Sequence, residues 1–391
     1  SDLSTAQELQ AVAAETSASF KLINNIDLSS VSWEPIGNPE NKFTGNFDGN
    51  GKIISNITVS GASSNRGLFG VVSGSAIIKN TYLEQVSIIG IDHIGGIAGY
   101  IESGTIRNCS VKGAVVAEGA FYAGGIVGRS VASSPVLIEN CVFNGTVTSY
   151  FASGGIVGGC ATMTTIKNCI AAGTVSAAGR GGGILGFCGD ELAEQNNVIM
   201  NNVLLNMEIR RSVNWTGEDH FHRIVGTFDS SKSNLLDHNI ASTTVNIKGL
   251  SSSRDYFSDK TSPEGQTSTV TALQTKSLYQ GINFLFGNSE HTPWKITANN
   301  YPVLWFMPDM TTEVHNPNVE ISVFPNPCKT RLHIKTTSNV NKIEVYSMTG
   351  QLIKSVMETS SVDLSQLQST IYLVKVNTDA GIFTCKVRKE P

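Results

Sequence analysis

The side chains best placed for metal chemistry form one short run, Glu218-Asp219-His220-Phe221-His222. On a strand, His220 and His222 would point to the same side, within reach of one ion. In an exposed polar loop they would simply be solvated, and this is the preferred reading, so no metal or other cofactor is expected. Calcium at Asp48 would need more hard ligands than that turn supplies. For glycoside cleavage, acids must recur on neighbouring repeats, yet Asp92, Glu102, Glu118 and Glu139 share no common slot. The chain has no His-Glu-x-x-His motif, no Gly-x-Ser-x-Gly elbow and no P-loop. It is therefore expected not to be an enzyme. The alternative is a polysaccharide-acting site within 187–275.

A different set of residues draws more interest. Asp92 and His93, Phe121 and Tyr122, Tyr150 and Phe151, and Arg180 each stand just before a glycine-rich phrase. Aligned on a surface, rings and polar groups of this kind suit a sugar or a protein. The bland alternative is that the rings fold back over a corner and seal it.

What must align them is a repeat. Gly67-Leu-Phe-Gly70 is followed by Gly95-Gly-Ile-Ala-Gly99, Gly124-Gly-Ile-Val-Gly128, Gly154-Gly-Ile-Val-Gly158 and Gly182-Gly-Ile-Leu-Gly186. The closing glycines Gly70, Gly99, Gly128, Gly158 and Gly186 lie 29, 29, 30 and 28 residues apart. Asn80, Asn108, Asn140 and Asn168 close a second phrase, and Gly90, Gly113, Gly145 and Gly173 mark a third. Segments such as Thr105–Val111 alternate apolar and polar residues, the period of a half-buried strand. No copy can bury its apolar face alone, so the copies must stack. The glycines are read as corners that need φ > 0 or have no room for a side chain. The asparagines are read as a ladder of amides satisfying buried backbone groups.

Residues 4–18 are expected to form a short capping helix, with Thr5 and Glu8 as a capping box. Phe43–Gly51 reads as a tight hairpin. The 391 residues fit two or three domains, and 15% charged residues with 38 glycines fit an all-β chain. A net charge of −4 without a basic cluster gives no footprint for nucleic acid. No apolar run is long enough to span a bilayer. The absence of a signal peptide is read as trimming. Of seven cysteines, Cys109, Cys141 and Cys169 share one slot, and Cys160 and Cys188 another, as small stacked core residues. A bridge between Cys328 and Cys385 is possible.

With the repeat in view, the chain resembles bacterial GLUG-repeat surface proteins. The resemblance rests on Phe20–Leu28, Trp33-Glu-Pro-Ile-Gly37, Phe47-Asp-Gly-Asn-Gly51 and Gly67-Leu-Phe-Gly70, and on a closing segment from Leu278 through Trp294-Lys-Ile296 to Tyr301-Pro-Val-Leu304. Such repeats occur in adhesins and in non-catalytic parts of bacterial immunoglobulin A proteases. The last domain resembles the C-terminal sorting domain of Bacteroidetes type IX secretion. The matching residues are Phe324-Pro-Asn-Pro327, Val345–Gly350, Val362–Leu367, Ile371-Tyr-Leu-Val374 and Lys386-Val-Arg-Lys389. Ser347 and Thr370 depart from the usual pattern, which puts processing of the signal in doubt. The resemblance implies export to the outer-membrane surface of a Gram-negative cell.

The expected architecture is all-β. It has a right-handed parallel β-helix-like solenoid over 1–308, regular over about 52–190 and irregular over 191–308. A linker over 309–318 leads to a small Ig-like β-sandwich sorting domain over 319–391. The expected partners are a glycan or an extracellular host protein, with the secretion machinery engaging 319–391. The expected role is adhesion or binding by a monomer, and a passive surface spacer is a further reading.

Overall fold

The computed structural model describes residues 1–119, 121–189, 195–212, 220–250, 258–308, 322–336, 339–347, 352–357, 359–378 and 381–390. The expected linker over 309–318, and Glu218 and Asp219, lie outside these residues. The chain divides into two compact units, Ser1–Met310 and Thr311–Pro391.

One coil shows how the first unit is built. Gly104–Arg107 forms a strand, Asn108 turns the corner, and Ser110–Ala117, Tyr122–Gly124 and Val127–Ser130 complete the turn. The next coil begins at Val136–Glu139, parallel and in register, with Ile106 beside Ile138. Repetition gives four parallel sheets of 9, 11, 5 and 6 strands and a solenoid of about 8 turns. Ile78, Ile106, Ile138, Ile166 and Ile199 stack in register inside, all fully buried. Each such side chain contributes roughly 1.5–3 kcal/mol, and only because the neighbouring coils cover it. The irregular stretch keeps this register, since Ile199 sits beside Leu236 in the following coil.

Several local expectations are corrected. The corners of the second phrase take positive φ on asparagine, with Asn80, Asn108, Asn140 and Asn168 all at φ 52–53°, while Gly113 and Gly173 of the third phrase lie at φ 149° and 111°. Asparagine tolerates that region because its short amide bonds locally. For the closing glycines the second of the two readings holds, since there is no room for a side chain. A Cβ on Gly128 would lie 2.5 Å from the His93 carbonyl carbon of the preceding coil, and one on Gly158 2.5 Å from the Gly128 carbonyl oxygen. Gly90 does not share the column of Gly113, Gly145 and Gly173. Val86 faces Gly113, because an irregularity shifts the register between Lys112 and Gly113.

Phe43–Gly51 is no hairpin. Asn46–Asp48 pairs in parallel with Ser19–Leu22 and Ile77–Lys79, and Asn50 and Gly51 bend at a corner. Stacking on both neighbouring coils replaces the local antiparallel pairing that Asp-Gly and Asn-Gly favour. The helix covers only Ala6–Ala11, continued by one tight turn to Ala14. Its capping box of Thr5 and Glu8 is present, and Leu9 and Val12 enter the core. The outermost edge of its sheet is the strand Asp2–Leu3, paired with Ser19–Leu22.

The segment 272–307 forms a strap that runs back along the outside of the coils. Leu273, Tyr279, Phe284, Trp294 and Leu304 cluster with the outward-facing Tyr82, Val142, Ile170 and Val203. The corner asparagines hold it. Asn168 Nδ2 donates to the Ile282 carbonyl at 3.3 Å and Asn108 Nδ2 to the Glu290 carbonyl at 3.0 Å. The Trp294 indole donates to Asn140 Oδ1 at 3.1 Å. Only Asn108 to Asn80 forms a rung of the expected amide ladder, at 3.1 Å.

The second unit has a three-stranded antiparallel sheet of Ser322–Phe324, Arg331–Lys335 and Ser361–Asp363. A four-stranded antiparallel sheet of Val340–Ser347, Leu352–Met357, Ile371–Thr378 and Gly381–Arg388 lies against it. Leu332 and Ile334 of one sheet meet Ile343, Val345 and Val374 of the other in a single core. Cys328 in this core is a free thiol, and the side chain of Cys385, its possible bridge partner, lies outside the described residues.

Candidate functional site

The residues before each glycine-rich phrase do gather on one outer face. Pairing of Ile94 with Ala123, Tyr122 with Ala152, Ala152 with Arg180 and Arg180 with His220 places successive positions in one column. A second column runs beside it through Tyr100, Arg129, Gly159, Phe187 and Thr227. Small residues at Ala152 and Gly159 leave room between larger neighbours. Tyr122 leans into that room: its ring atoms lie 2.6 Å from where a Cβ on Gly159 would stand.

Rings and cations then interleave. His93 stacks on Tyr122 with centroids 5.9 Å apart. Phe151 meets Tyr122 edge-on at 5.5 Å, Phe121 at 6.1 Å and Phe187 at 5.8 Å. The Arg129 guanidinium lies 4.0 Å over the Tyr122 ring. The Arg180 guanidinium lies 4.4 Å from the Phe151 ring and 4.8 Å from the Phe187 ring. Such contacts are worth about 0.5–2 kcal/mol each, more where water is excluded.

Asp92 organises the upper end of the strip. Its Oδ1 accepts from the backbone nitrogens of His93 at 2.8 Å and Tyr122 at 3.0 Å, and its Oδ2 lies 3.3 Å from His93 Nε2. Burial pulls the His93 pKa down, against the pull of Asp92 in the other direction, and Arg129 adds to the lowering. Burial pushes the Tyr122 hydroxyl up.

The two readings of the aromatic strip divide by residue. Tyr122, 8% exposed, helps seal the corner. Phe121 at 48% and Tyr150 at 53% stand out in solvent, while His93, Phe151 and Arg180 are half-buried. Tyr100, Arg129 and Phe187 belong to the same cluster, but the sequence reading missed them. They sit after the glycine-rich phrase, on the neighbouring sheet, and only the coil register brings them close.

Of the other chemical set, only His220, Phe221 and His222 are among the described residues. His220 and His222 lie on one strand, but His222 Nδ1 pairs with Glu264 Oε1 at 2.6 Å. Glu264 also accepts from the Arg223 backbone nitrogen at 3.1 Å. Burial would raise the Glu264 pKa, but His222 and Arg223 together hold it below the ordinary range. Among the described residues no cluster of three metal-ligating side chains forms. Other carboxylates are also paired: Glu102 with Lys42, Glu139 with Lys167, and Glu208 with Arg210 and Lys248. The stacked cysteines are buried free thiols. Cys141 and Cys169 reach carbonyls of the preceding coil, and Asn202 and Asn239 take over that slot in later coils.

Comparisons with known proteins agree with this architecture. Residues 322–390 match the secretion system C-terminal sorting domain family, and residues 92–116 match the GLUG motif. Over 128 residues, 30% of this chain and 1% of the relative, the sequence is 38% identical to halomucin of Haloquadratum walsbyi. Over 102 residues, 24% of this chain and 12% of the relative, it is 31% identical to a provisionally named Gly-rich membrane protein of Evansella cellulosilytica. The chain thus spans only a small part of the length of these curated relatives. A solved Bacteroides ovatus structure, provisionally named an immunoglobulin A1 protease, is similar in fold. Its TM-score is 0.63 at 21% identity, covering 78% of this chain and 92% of that one. Among the described residues no helix is long and apolar enough to cross a membrane. The chain is a secreted or surface protein that carries a GLUG motif in a parallel β-solenoid and ends in a type IX sorting domain.

Proposed function

We propose that this protein is an adhesion or binding protein displayed at the outer-membrane surface, and that the strip from His93 to Arg180 is its binding face. The observation that carries this reading is the exposure of Phe121 and Tyr150 beside the half-buried Phe151 and Arg180. Exposed rings held by a rigid scaffold lose little entropy on binding, so they make good contact points for a glycan or a host protein. The sorting domain supports the location, and the pairing of carboxylates supports a non-catalytic role. The fold likeness to the Bacteroides ovatus structure supports a second reading, a non-catalytic part of a protease-like surface protein.

Binding screens on glycan and matrix-protein arrays test the first reading. Phe121→Ala with Tyr150→Ala should abolish any hit while leaving the thermal unfolding temperature within about 2 °C, since both rings are exposed. Hits unchanged in the double variant would remove the strip from the binding surface.

A further inference from the structure

Arg180 differs from three other arginines of the solenoid in what it lacks. Arg66 pairs with Glu34, Arg107 with Glu290 and Arg223 with Glu264. Arg180 has no carboxylate within ion-pair distance among the described residues, although it is half-buried. Its Nε donates to Thr227 Oγ1 at 3.0 Å, and Phe151 and Phe187 flank its plane. These contacts fix the guanidinium and use one of its five N–H groups, and its two terminal amino groups have no protein acceptor among the described residues. Burial also pulls the Arg180 pKa down.

A planar guanidinium held in this way matches a carboxylate, which it binds through two parallel hydrogen bonds. Asp92 does not neutralise it. That residue is committed to His93 and Tyr122, three coil steps away in the column, or roughly 14 Å at ~4.8 Å per step. Between the two lie rings, including the exposed Phe121 and Tyr150. A ligand spanning the strip would place a carboxylate at Arg180 and apolar ring faces on the aromatics, which is the chemistry of an acidic sugar chain.

We propose that Arg180 is the carboxylate anchor of the strip, and that the strip takes a uronate-containing polysaccharide. This rests on the binding face proposed above, and the test separates the two ideas. The full chain would be run through native gels containing polygalacturonate, its methyl ester, dextran sulfate or polyaspartate, at one fixed ionic strength. Polygalacturonate should retard the protein and the methyl ester should not. Arg180→Gln should weaken the retardation constant roughly tenfold or more. Arg180→Lys keeps the charge but not the planar fork, and should stay within about twofold of Arg180→Gln. Should the Arg180 variants fail to fold, Thr227→Val removes the Nε anchor and should weaken retardation by polygalacturonate alone.

Equal retardation by acid and ester, lost in Phe121→Ala with Tyr150→Ala, would overturn the carboxylate anchor and leave the binding face standing. Stronger retardation by dextran sulfate or polyaspartate would overturn the uronate assignment. No retardation in any gel would overturn the uronate ligand, and empty glycan and matrix arrays as well would overturn the binding face with it.

Discussion

At Asn108 the chain sits at φ 53°, and Nδ2 donates both to Asn80 Oδ1 and to the Glu290 carbonyl. One residue thus serves the corner and the strap. Asn108→Ala should cost about 2–4 kcal/mol in urea unfolding, from left-handed strain and lost hydrogen bonds. Asn108→Gly keeps the backbone freedom and should cost roughly 1–2 kcal/mol less than alanine. Equal losses would mean that the corner angle contributes nothing. The recurrence of this position was legible from spacing alone, but its role was not. Glycine and asparagine both signal turns, and only the distance between neighbouring backbones shows which is there for its angle and which for its missing Cβ. The cysteine slot was legible as core. Its polar side had one trace in the sequence, the asparagines Asn202 and Asn239 that continue it.

Among the elements, the strap was the least legible. Its closing motif was visible, but its path was not, because nothing in its own residues says which face of the coils it covers. Glu290 makes that path testable. It lies 2.6 Å from Lys79 Nζ and 3.7 Å from Arg107. The hydrogen bond from Lys79, with Asn80 and the charge of Arg107, outweighs burial and holds the Glu290 pKa below the ordinary 4.5. A carboxylate depressed on folding stabilises the native state above its unfolded value, and that stability fades as pH falls through the folded value. The urea midpoint should therefore drop between pH 6 and pH 3, and less steeply in Glu290→Gln. Parallel curves for the two proteins would show that this pair does not couple the strap to pH. The hairpin expected at Phe43–Gly51 failed for a related reason: a turn signal fixes a bend, while the neighbouring coils decide which strands pair across it.

For the molecule as a whole, the division of labour is between a sorting domain and a solenoid that holds a surface strip. Deleting 322–390 should abolish surface display, read as loss of cleavage by protease added to intact cells, while the protein still accumulates inside. Undiminished surface cleavage would show that export does not use this domain. The staircase of coils was legible from three phrases kept in phase, and so was half of the strip. The other half, Tyr100, Arg129 and Phe187, depends on register between sheets. The most direct measurement of that register is a cysteine crosslink on the exposed outer sheet. Lys112 faces Asn144 across adjacent coils, and Ala114 faces Thr146. Lys112→Cys with Asn144→Cys should form a disulfide readily under mild oxidation, and Lys112→Cys with Thr146→Cys should not. The reverse preference would contradict in-register stacking, and the column that brings His93, Tyr122 and Arg180 together would go with it.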